Sequence, residues 1–64
     1  MGKVIEMKNI FSNDIIYILS EYGIVTVHDL YGYSIARYEY SINFVIFLYV
    51  LKGYKVVNGD VSRI

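Results

Sequence analysis

Asn58-Gly59, set between the β-prone runs Tyr54 to Val57 and Asp60 to Ile64, constrains the fold more than any other pair in the chain. A two-residue type I′ turn needs positive φ at both central positions. Asn tolerates that and Gly adopts it freely, so the dipeptide predicts a tight hairpin. The apolar segment upstream ends at Lys52-Gly53, as a helix does when a glycine supplies its left-handed cap. A helix, a glycine stop and a terminal hairpin are expected in that order.

The remaining residues must pack on these elements within a chain of 64, enough for one domain. So short a domain buries only about 60% of the surface its unfolded chain exposes, which makes its core dense or shared. The composition is 56% hydrophobic with eight Tyr and three Phe, more apolar surface than a lone small domain readily hides. A homodimer or an obligate partner is therefore expected. With no Cys, neither disulfides nor cysteine-ligated zinc staple the fold. The longest apolar run, Phe44 to Leu51, is far short of the ~20 residues that cross a bilayer as a helix. The charged amino terminus is unlike a signal peptide, and Glu6 stands where a myristoylation motif needs Ser or Thr. A soluble cytoplasmic protein with no membrane contact is the expectation. The initiating Met1 favours a whole protein over an excised domain.

Along the chain, residues 1–11 leave three choices open: a short strand, an extension of the first helix, or a dimerisation arm. Ser12, Asn13 and Asp14 suit a helix start, and Ile15, Ile18, Leu19 and Tyr22 recur at helical spacing before Gly23. A first helix is expected over Asn13 to Tyr22, with Ile15, Leu19 and Tyr22 facing the core. Thr26 and Asp29 have capping-box spacing for a second helix from Val27 to about Ala36, weakened at Gly32. Residues 37–46 alternate as a strand would, with Tyr38, Tyr40, Ile42, Phe44 and Ile46 on one side. The absence of any turn residue before Lys52 favours a third helix from about Glu39 to Lys52, with Ile42, Ile46 and Tyr49 packed inward.

Taken in order, Ile-Leu-Ser-Glu-Tyr-Gly at 18 to 23, Thr-Val-His-Asp-Leu at 26 to 30, the apolar segment ending Val-Leu-Lys-Gly-Tyr at 54, and the Asn-Gly hairpin resemble the winged helix-turn-helix superfamily. The implied fold is α+β: a winged helix of three helices followed by a C-terminal β-hairpin wing, a single domain over residues 1–64. The lack of Pro and the weight of Ile, Val, Tyr and Lys resemble small archaeal and archaeal-virus members. The function so implied is a dimeric transcription regulator that binds double-stranded DNA. Tyr38, Tyr40, Ser41 and Asn43 would lie at the start of the recognition helix, facing the major groove, and Arg37, Lys52, Lys55, Asn58 and Arg63 on phosphate around helix and wing.

Two facts pull against that function. Six Lys plus Arg balance six Asp plus Glu, whereas nucleic-acid binders are usually basic. The outer face of the third helix is Tyr40, Phe44, Phe47 and Leu51, better suited to protein contact than to a phosphate-lined groove. The alternative is an interaction module that takes a peptide or subunit on that face or on a sheet edge. Tyrosines interleaved with Lys and Arg also suit stacking on single-stranded bases, if residues 37–46 are a strand. His28 is the one histidine and the acidic residues are scattered, so no enzyme, metal or cofactor is expected.

Overall fold

A computed structural model describes residues 3–59. Its elements are β1 (Lys3–Asn9), β2 (Ile15–Glu21), β3 (Ile24–Asp29), β4 (Ser34–Tyr38), α1 (Ile42–Val50) and β5 (Tyr54–Asn58). The five strands form one sheet in the order β4-β3-β2-β1-β5, antiparallel throughout. The helix carries the chain from the β4 edge to the β5 edge.

Period-two alternation builds the core. Ile5 and Met7 of β1, Ile16 and Ile18 of β2, and Val25 and Val27 of β3 are buried on one face. Register aligns them, with Ile5 opposite Ile18, Met7 opposite Ile16, and Ile18 opposite Val27. Onto this face α1 lays Val45 and Tyr49, flanked by the half-buried Ile42 and Ile46. Fully burying one such aliphatic side chain contributes about 1.5–3 kcal/mol.

The winged helix expected from the sequence does not form. Asn13 to Tyr22 is a turn followed by β2, so Ile15 and Leu19 lie on the sheet face away from the helix and Tyr22 stands 89% exposed. Ile15-Ile16-Tyr17-Ile18 is rich in residues that suit a pleated surface; all four pair with β1, and Ile16, Tyr17 and Ile18 also pair with β3. The second expected helix, Val27 to Ala36, is instead the end of β3, a turn at 30–33 and the start of β4. The tight two-residue hairpin sits at Tyr22-Gly23, where φ is 54° and 77° and Glu21 faces Ile24. Positive φ at both positions is the type I′ signature. Residues 1–11, left open by the sequence, contain the interior strand β1.

The helix lies within the expected Glu39 to Lys52 and is shorter at both ends, its start set by the cap at Ser41 and its end by the cap at Leu51. Ser41 is its N-cap: the Phe44 N–H donates to Ser41 Oγ at 3.3 Å. The chain leaves it through Gly53 at φ 97°. The expected wing strand Tyr54 to Val57 does exist as β5, yet its partner is β1, with Asn9 opposite Tyr54 and Lys8 opposite Lys55. The other half of the expected hairpin, Asp60 to Ile64, lies outside the described residues.

Candidate interaction surfaces

Every residue of α1 except Asn43 is apolar or aromatic. A helix turns 100° per residue, so the segment that buries Ile42, Val45, Ile46 and Tyr49 must present Phe44, Phe47 and Leu51 outward. Those three are 45%, 55% and 69% exposed, and Tyr40, one turn earlier, is 59% exposed. Tyr40 and Phe44 meet edge to face with ring centroids 5.2 Å apart. Val50 widens the stripe. The four residues expected to form a dimer or partner interface thus share one continuous apolar surface, on which no charged side chain lies.

The residues expected to contact DNA are dispersed. Arg37 is on edge strand β4, its guanidinium 3.7 Å from the Glu39 carboxylate. Tyr38 turns inward, its hydroxyl 3.2 Å from that of Tyr49. Ser41 is spent as the helix cap, and Asn43 is exposed on α1. The Lys52 ammonium lies 5.9 Å from the Tyr49 ring centroid, beside the helix C-terminus. Lys55 and Asn58 belong to β5, at the opposite edge of the sheet from Arg37. Arg63 lies outside the described residues. No recognition helix gathers these groups, because the segment that would have carried them is the apolar α1.

The sheet face away from α1 has no element packed on it among the described residues. Register places His28, Tyr17 and Glu6 in one row across β3, β2 and β1, with Ser34 and Asn58 paired to its two ends across a register shift in each outer strand. Lys8 and Lys55 stand opposite each other one step further along β1 and β5, with Ile15 beside Lys8 on β2. The His28 ring is held by a 2.9 Å hydrogen bond between Nε2 and Thr26 Oγ1. Sequence spacing alone does not reveal this row, since its members come from separate strands.

A groove of about 300 Å³ opens at the end of the sheet, where Asp14, Asp29, Tyr31, Ile35 and Tyr54 are among its walls. Both carboxylates serve the turns: Asp14 accepts from Ser12 Oγ at 2.9 Å, and Asp29 Oδ1 accepts from the Tyr31 and Tyr33 N–H groups, each at 2.9 Å. Among the described residues no three His, Asp or Glu side chains gather to hold a metal ion, and no helix is long and apolar enough to cross a membrane.

The fold and its surfaces define a single antiparallel sheet covered on one side by an apolar helix. Compared with protein-family models, curated proteins and solved structures, the chain matches none of them.

Proposed function

We propose that this chain is a non-catalytic interaction module that self-associates through the outer face of α1. The observation that carries the reading is the uncharged stripe of Tyr40, Phe44, Phe47 and Leu51, exposed along one side of α1 and the residues that flank its two ends. With aromatic side chains covering ~150–250 Å² each when whole, the exposed stripe amounts to roughly 500 Å². That is near the upper end of the ~300–600 Å² found for the largest patch on a soluble monomer. A two-fold contact sets a surface against itself, so a patch without charge meets no like-charge penalty. Pairing two copies would bury about 1,000 Å², the lower limit for a specific interface and consistent with a dimer of modest affinity.

The reading as a regulator of double-stranded DNA rested on the winged helix, which the sheet replaces. Self-association draws on the stripe alone. Sedimentation equilibrium on the wild type and on a Phe44→Ser, Phe47→Ser double variant tests it. The expected result is a reversible wild-type dimer and a monomeric variant with an unchanged circular dichroism spectrum. A wild-type monomer at concentrations of several hundred micromolar, or a variant that still dimerises, would overturn the proposal.

A further inference from the structure

The sheet face opposite α1 carries a local conflict that packing does not resolve. Lys8 and Lys55 are direct cross-strand neighbours on β1 and β5. Side chains so placed have Cβ atoms ~4.5–5.5 Å apart, and like charges there are destabilising. Among the described residues neither lysine makes an ion pair, the one such pair being Arg37 with Glu39. Local conflicts of this kind are expected at functional or strained sites, and an anion bound between the two lysines would relieve this one.

The neighbouring row says which anion fits. Tyr17 is diagonal to Lys8 on the adjacent strand, and His28 stands directly opposite Tyr17 on the next. Two aromatic rings therefore lie side by side near the centre of an uncovered face, half-buried at their bases, with the His28 ring anchored through Thr26. One pleat along a strand is ~6.8 Å for two residues and one strand across is ~4.8 Å, so the rings lie about one nucleotide step from the lysine pair. Arg37, opposite Thr26 on β4, adds a cation beyond the rings. Glu6 faces Tyr17 on β1 and is the carboxylate within the row; Glu21 stands at the end of β2. Glu6 can accept from the exocyclic amine of a base.

We propose that this open face binds single-stranded nucleic acid, with phosphate between Lys8 and Lys55 and bases stacked on Tyr17 and His28. Stacking on flat side chains beside a cationic track is a sequence-tolerant way to hold single strands. The face lies on the opposite side of the sheet from the α1 stripe, so it remains open whether or not the chain dimerises.

Fluorescence anisotropy with a labelled ~15-nucleotide oligo-dT strand tests the proposal, with a duplex of equal length as comparison. With one phosphate on the lysine pair and one on Arg37, and a slope of about −0.7 per phosphate, affinity should fall roughly 25-fold as salt rises from ~20 to ~200 mM. Tyr17→Ala should weaken binding about tenfold or more, and Tyr17→Phe, which keeps the ring, should restore it. Lys55→Glu replaces the repulsion with an attraction, so it should abolish binding while leaving the melting temperature equal or higher. Absence of binding at ~20 mM salt, or wild-type affinity in both Tyr17→Ala and Lys55→Glu, overturns the proposal. Equal competition by poly-glutamate overturns it too, since the face would then be a site for acidic protein. Neither result bears on the oligomeric state.

Discussion

The hydroxyls of Tyr38 and Tyr49 lie 3.2 Å apart, with their rings edge to face at 85°. This contact joins β4 to α1, and the opposite side of the Tyr49 ring meets Tyr54 of β5 at 5.6 Å. Tyr49 therefore connects the two edge strands through the helix that separates them in sequence.

Replacing Tyr49 with Phe should keep both ring contacts and remove the hydroxyl pair. Tyr38 is only half-buried and water can reach its freed hydroxyl, so the expected cost is in the lower part of about 0.5–1.5 kcal/mol. The alkaline behaviour of the two proteins should differ more. Burial, then the hydrogen bond with Tyr38, then the nearby charges of ionised Tyr38 and Tyr54 hold the Tyr49 hydroxyl well above the usual tyrosine range. The folded state keeps a proton that the unfolded state releases near pH 10.0. The associated stability is whole below that pH and is lost as pH rises through the folded value. Urea titrations from pH 8 to 11 should show wild-type stability falling more steeply than that of Tyr49→Phe.

Ile18 is fully buried between Ile5 and Val27 in the middle of the sheet. Truncating it to Ala should cost about 2–5 kcal/mol through lost burial and the cavity left behind. A domain of this size has on the order of 3–10 kcal/mol in all. Urea unfolding of Ile18→Ala should therefore show a midpoint lowered by a large part of the wild-type value.

Gly53 and Gly23 separate backbone strain from crowding. Both have positive φ, but a Cβ at Gly23 would meet no atom within 4 Å, whereas one at Gly53 would lie 2.8 Å from the Phe11 ring. Gly23→Ala should cost about 1–2 kcal/mol from the left-handed backbone alone. Gly53→Ala should cost more, because its φ of 97° lies outside the usual left-handed well and Phe11 must also shift. Since 1 kcal/mol is worth about 4–8 °C in a domain this small, thermal melts will resolve the order.

Ser41→Ala removes the acceptor for the Phe44 N–H at the start of α1. The expected loss is about 0.5–2 kcal/mol, with Ser41→Asp close to neutral because a carboxylate caps equally well. Chemical denaturation of the pair will distinguish capping from any other role of the hydroxyl.

The helical segment was readable in the sequence because the apolar run Phe44 to Leu51 ends just before Gly53 and no turn residue interrupts the chain ahead of it. Once it is a helix, the outward positions 44, 47 and 51 follow from its period, while Tyr40 joins them through its ring contact with Phe44. The strands were hidden for two reasons. Ile15 to Leu19 is apolar at every position, so it satisfies a 3.6-residue period as readily as an alternating one. Gly23 has the positive φ that a helix C-cap requires, and a type I′ hairpin requires the same, so the residue marks a stop without saying of what. Asn58-Gly59 gives no sign of the partner that β5 does have, which is β1, far away in sequence. The lysine pair and the Tyr17-His28 row depend wholly on that topology and leave no mark in local spacing.

Because β1 lies between β2 and β5, synthesis of this chain has a built-in delay. The meander β1 to β4 consists of local pairings and can assemble as soon as it emerges from the ribosome. Its apolar face stays bare, however, until α1 has followed, and one side of β1 stays unpaired until β5 arrives. The nascent protein thus passes through a stage with a naked sheet and a free strand edge, the form most prone to join a neighbour wrongly. β5, the last of the five described strands to be made, is the one that closes this window.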